Sequence, residues 1–147
     1  VGIRPNATLA REAGLATGRG IVVDDRLTTS DPAVHAIGEC AEHRGTCYGL
    51  VEPAYQQAAA LARHLAGRSA AYQGTVLSTN LKVSGVPVFS AGDFLGEPGT
   101  EAITLRDPGL ATYRKLVLRD GALVGAILFG ETSDALWYLD LIRSGQP

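Results

Sequence analysis

The stretch TYRKLVLRDGALVGAILFG, residues 112–130, constrains the fold more than any other part of the chain. Two β-rich runs flank Asp120-Gly121, and an Asp-Gly pair supplies the two positive-φ positions of a type I′ turn, the favoured connector of a tight antiparallel hairpin. The same character extends upstream, where TVLSTNLKVSG, VPVFSAG and EAITLRD all read as strands. A short helix over residues 133–142, capped by Thr132 or Ser133, closes the chain. Residues 75–147 are therefore expected to form a small antiparallel sheet carrying a helix.

The chain reads differently before residue 70. Residues 1–4 look like a short strand ended by Pro5-Asn6, and residues 8–14 like one or two helical turns with Asn6 or Thr8 as N-cap and Gly14 as terminator. GIVVDD, residues 20–25, is a strand, and residues 28–32 are a turn in which Asp31-Pro32 disfavours helix. Residues 34–37 form a short, nearly all-apolar run ending at Gly38, the pattern of a central strand covered on both faces. Residues 45–53 read as a loop. AYQQAAALARHLAG then predicts a helix over residues 54–66, ended by Gly67, with Tyr55, Ala58, Leu61, Ala62 and Leu65 on one apolar face. The composition shifts across residues 70–74, which divides the chain into domains 1–74 and 75–147.

Bulk properties narrow the function classes. A formal net charge of -2 offers no basic footprint for nucleic acid. No apolar run approaches the roughly 20 residues that span a bilayer. Two cysteines are too few for a disulfide framework, which makes a reducing, cytoplasmic setting the default. The chain contains no methionine and opens in what reads as mid-element, so a piece of a larger protein is expected.

Chemistry concentrates in TSDPAVHAIGECA, residues 29–41. A glycine lets backbone approach a bound group, and an acid beyond the carboxyl end of a strand can accept hydrogen bonds from ligand hydroxyls. The competing reading makes Glu39 a solvated loop acid behind a core strand. The pattern resembles the second flavin-binding motif of flavoprotein reductases with two dinucleotide-binding domains, a turn Thr followed by apolar residues and then A-x-G-D-x-A. The matching positions are Thr29 or Ser30, Ala36, Gly38, Glu39 and Ala41, with Glu in place of the commoner Asp and His35 where Tyr or Phe is usual. Around it, VGIRPN resembles the family's G-x-x-P-N return segment, GIVVDDRLTTSDP its β-meander, and GLVEPAYQQAAALARHLAG the helix whose start approaches the flavin ring.

That resemblance implies a fold of mixed α/β and α+β class: the C-terminal fragment of an FAD-binding doubly wound domain followed by a small antiparallel-sheet-plus-helix C-terminal domain. It implies FAD as cofactor, bound by Gly38, Glu39 and Cys40, with Glu39 on the ribityl chain, and by Glu52, Pro53 and Ala54 near the ring, where a helix N-terminus favours negative charge. The resemblance extends to the branch holding NAD(P)H-dependent nitrite reductase large subunits and the rubredoxin and ferredoxin reductases. It therefore implies NAD(P)H as electron donor, and iron–sulfur and sirohaem centres or a small electron-transfer protein as acceptor. Missing N-terminal FAD and NAD domains and a possible homodimer follow as partners.

Departures from the family pattern bound this. No G-x-G-x-x-G follows a strand anywhere, so the nicotinamide and ADP fingerprints are absent and the chain alone is not expected to transfer hydride. No catalytic or metal-ligating residue is assigned. Cys40 and Cys47 are spaced unlike a redox pair, and His35, His43 and His64 lack metal spacing. Asp93 in SAGDF reads as a turn acid, Lys82 as a solvent-facing strand residue, and Trp137 and Tyr138 as core or interface. Strands over residues 20–25 and 34–37 without their neighbours would leave open edges and an apolar face, an expectation of dimerisation, swapping or partial disorder. The alternative function is a non-catalytic interface module, carried by residues 75–147.

Overall fold

A computed structural model describes residues 2–83 and 85–146, with backbone alone at 82 and 83. The chain divides into two compact units, Val1–Thr75 and Val76–Pro147. The expected solvent-facing side chain of Lys82 and the start of the expected opening strand at Val1 lie outside the described residues.

In the first unit, residues 2–7 carry no regular structure, so the expected opening strand is absent over its described part. Helix α1 (Thr8–Glu12) follows, capped at Ala7 with no side-chain cap, although the Asn6 carboxamide accepts from the Thr8 N–H at 3.3 Å. Strand β1 (Ile21–Val23) pairs in parallel with β2 (Ala41–His43), which pairs antiparallel with β3 (Thr46–Cys47). Both β2 and β3 fall where no strand was expected. The β2–β3 turn is Arg44-Gly45, with φ of 49° and 77°.

No ladder forms over residues 34–37. That segment folds back on residues 27–29 instead: Thr29 N–H donates to the Val34 carbonyl at 2.9 Å, Ala36 N–H to Leu27 at 3.2 Å, and Thr28 and His35 form a single bridge. The Asp31 carboxylate closes the arch by accepting from Ala33 N–H at 2.9 Å. A strand needs a partner along its length, and among the described residues nothing beyond that bridge pairs with this one. Gly38–Cys40 then form a single 3-10 turn that leads into β2. Glu39 therefore precedes a strand rather than following one.

Helix α2 (Val51–Leu65) begins three residues earlier than expected. Pro53 sits in its first turn, where the missing N–H costs no intrahelical bond. The buried face is Pro53 and Gln57, with Ala60 and Leu61 packed on a core of Val23, Leu27, Ala36, Ala41, Tyr48 and Tyr72. The expected face is overturned, since Tyr55 and Leu65 are exposed. A buried Gln57 and an exposed Tyr55 run against the polarity of their side chains, so periodicity alone does not choose the inward side of this helix.

The second unit is an antiparallel five-stranded sheet in the order β4-β5-β8-β7-β6: β4 (Ser78–Val83), β5 (Val86–Gly92), β6 (Glu101–Asp107), β7 (Thr112–Arg119) and β8 (Ala122–Phe129). The Asp120-Gly121 turn has φ of 52° and 79°, both positive as a type I′ hairpin requires. Helix α3 (Ala135–Ser144) starts after Asp134, later than expected, and ends on left-handed Gly145. It sets Ala135, Tyr138 and Leu139 against Phe89, Ala91, Ala126 and Leu128. Arg114 donates to the Tyr138 hydroxyl at 3.0 Å and pairs with Asp134 at 3.1 Å, tying β7 to the helix start. Asp93 is a turn acid: it accepts from Gly96 and Glu97 N–H groups and pairs with Arg119 at 3.3 Å. Trp137 is exposed while Tyr138 is core. Among the described residues no helix is long and apolar enough to cross a membrane.

Candidate cofactor site

The candidate site forms where the 3-10 turn meets the start of α2. Gly38 has φ of 80°, a backbone region costly for any side chain, and its N–H donates to the Gln57 Oε1 at 2.7 Å. Gln57 is fully buried. This hydrogen bond clamps the turn against the helix. Glu39 is left exposed at the rim of a cavity of about 480 Å³, whose wall is Gly49, Leu50, Val51, Ala54, Tyr55 and Ala58.

The wall is apolar and belongs to the N-terminal turns of a helix, where unpaired N–H groups and the macrodipole favour negative charge. A carboxylate, acceptor-only when ionised, sits at its rim. That combination fits a flat apolar ring that carries a hydroxylated chain.

The expected site residues separate into two groups. Glu39 and Ala54 line the same cavity, and Gly38 supports the turn that holds Glu39. Cys40 instead donates its thiol to the Ile37 carbonyl at 3.4 Å and lines a different hollow beside α1. Pro53 is buried in the core, and Glu52 points along the helix, accepting from the Gln56 side chain at 3.1 Å. Gly49, Leu50, Val51, Tyr55, Ala58 and Gln57 were not anticipated. The segment YGLV and the helix sequence held the signal for them, but choosing among them requires the helix to start at Val51.

Other polar groups of the first unit serve structure. The Arg44 guanidinium donates to both Asp25 oxygens, at 2.9 and 2.7 Å, and the buried His43 lies 2.9 Å from one of them. Those hydrogen bonds, Arg44 first, hold the Asp25 pKa down at about 2. Burial pushes the Cys47 thiol up, with Glu42 adding to it, which makes it a poor nucleophile. Two hollows of about 620 Å³ at the β6–β7 end of the second unit are larger than the Glu39 cavity. Size does not decide here: of the charged groups that line the first, Arg114 and Glu131 are already engaged by Tyr138, Asp134 and Ser133, and Asp107 accepts from the Gly109 and Leu110 N–H groups.

Residues 1–60 match the pyridine nucleotide-disulphide oxidoreductase family, and residues 78–146 the rubredoxin NAD+ reductase C-terminal domain. The chain is 53% identical to the nitrite reductase [NAD(P)H] of Bacillus subtilis over 97% of its own length and 18% of that protein. It is 45% identical to the assimilatory nitrate reductase electron transfer subunit of the same organism, over 95% of the chain and 18% of that protein. The chain thus spans less than a fifth of these curated relatives. The crystal structure of NADH:rubredoxin oxidoreductase from Clostridium acetobutylicum is similar with a TM-score of 0.77 at 26% identity, covering 99% of this chain and 38% of that one. The chain is thus similar to pyridine nucleotide-disulphide oxidoreductases over its first part and to the rubredoxin NAD+ reductase C-terminal domain over its second.

Proposed function

We propose that the chain is the C-terminal part of the flavoprotein module, the electron-input module, of a cytoplasmic, FAD-dependent NAD(P)H oxidoreductase of nitrite reductase type, and that its first unit completes the flavin site. The observation that carries this reading is the shared cavity: the Glu39 carboxylate and the apolar first turns of α2 face one space. FAD, when bound, accepts a hydride from NAD(P)H and passes electrons on to acceptors such as iron–sulfur and sirohaem centres. The chain's own residues bind and orient. Glu39 accepts hydrogen bonds from the ribityl hydroxyls. Leu50, Val51 and Tyr55 exclude water from one side of the ring, and the α2 N-terminus favours negative charge near it. Nicotinamide binding falls to residues outside this chain, which has no G-x-G-x-x-G fingerprint.

A second reading makes residues 76–147 an interface for a second copy or an electron-transfer protein. It is favoured by β6, which is exposed along its whole length and presents Ile103 and Leu105 to solvent. A rubredoxin or ferredoxin reductase is the corresponding alternative for the whole protein.

Titration of FAD against the full-length protein tests the flavin reading. Loss of a charge-assisted acceptor in Glu39→Ala is expected to weaken FAD roughly ten- to a hundredfold. Unchanged affinity would remove Glu39 from the site.

A further inference from the structure

Gln57 belongs to the buried side of α2 and also bonds the Glu39 turn. Its Oε1 accepts from Gly38 N–H at 2.7 Å, at full burial. The turn it holds begins at Gly38 with φ of 80°, a conformation open to glycine, so the turn itself does not fix the pose and the hydrogen bond to Gln57 does. The helix register does the rest. Gln57 lies one turn beyond Pro53 on the buried side, while Ala54, Tyr55 and Ala58 line the cavity. One helix therefore supplies both the cavity wall and the anchor for the acid opposite.

A polar group buried in the core must be paired, and the Gln57 oxygen pairs the Gly38 N–H. A leucine or methionine of similar size would fill the same space and leave that N–H without its acceptor. The acceptor end is therefore the reason for a glutamine here. We infer that Gln57 is a positioning residue: through Gly38 it fixes the pose in which Glu39 meets the cofactor, without touching the cofactor itself. This rests on the flavin-site reading above and deepens it.

The test is a double-mutant cycle read as FAD affinity, by fluorescence quenching, in the full-length protein. Gln57→Met removes the acceptor at near-constant volume and is expected to weaken FAD about tenfold when Glu39 is present. In a Glu39→Ala background the same change is expected to cost less than about twofold, because nothing remains to be positioned. Equal losses in both backgrounds would make Gln57 a fold-stabilising residue only, and no loss in either would remove it altogether; both overturn the inference. If Glu39→Ala alone leaves FAD affinity unchanged, the flavin reading fails first and takes the inference with it. Amide exchange of the FAD-free wild type gives a measurement that needs no variant to fold. Gly38 N–H is expected to be protected, and exchange at the rate of an open loop would overturn the clamp.

Discussion

Asp25 joins three parts of the first unit: its own loop, the buried His43 on β2, and Arg44 in the β2–β3 turn. Arg44 stands at φ of 49°, where a long side chain is unfavourable, and its two-pronged grip on Asp25 offsets that strain. The Asp25 pKa, about 2, lies below its ordinary 3.8, so the carboxylate's contribution to stability is fully present above the ordinary value and is lost as the pH falls through about 2. Asp25→Asn is therefore expected to lower the urea midpoint near neutrality. The gap to wild type should narrow as the pH is taken from roughly 5 down to 2. A gap that stays constant over that range would show that the ion pair is not what stabilises the turn. None of this was legible beforehand. HRGT does not read as a two-residue hairpin because its first turn position usually holds Asn, Asp or Gly, and the compensating Asp25 is distant in sequence. Glu39 and Ala54 could be picked out, by contrast, because their motif is local.

The hairpin of β7 and β8 shows what local patterning can deliver. Asp120-Gly121 and the strands beside it lie where the sequence places them. Gly125, within β8, has a reason that sequence does not disclose. A Cβ there would fall on the backbone of Asp93 and Phe94, where the segment after β5 crosses the sheet. Lys115 holds that segment down by donating to the Phe94 and Leu95 carbonyls at 3.0 and 3.1 Å. Gly125→Ala is thus expected to cost about 2 kcal/mol or more, because backbone rather than a flexible side-chain tip must move. Gly121→Ala, which strains a positive-φ turn, is expected to cost about 1 kcal/mol. Chemical denaturation of the two variants ranks them, and the reverse order would mean that the 93–100 segment yields easily. The arch at residues 27–36 is the counterexample among elements. Its apolar run has the composition of a central strand, but a strand also needs a partner ladder, and composition does not report whether one exists.

At the scale of the molecule the two units are unequally provisioned. Residues 76–147 hold a five-stranded sheet with a helix packed on one face. Residues 2–75 hold a three-stranded sheet whose strands are two or three residues long. Strands that short give few ladder bonds, and independent stability requires a hydrophobic face that is covered. On α2, Val51, Tyr55 and Leu65 are 69%, 73% and 65% exposed, so an apolar side of the longest helix faces solvent in this chain. Local opening should therefore be easier in the first unit, since its strands are held by few ladder bonds. Amide exchange of the isolated chain is expected to show β5, β7 and β8 as the slowest strands. The β1 and β2 amides should exchange at least about tenfold faster. Equal protection in β2 and β8 would mean that the small sheet is self-sufficient. The apolar side of α2 would then be ordinary surface rather than a face made to be covered.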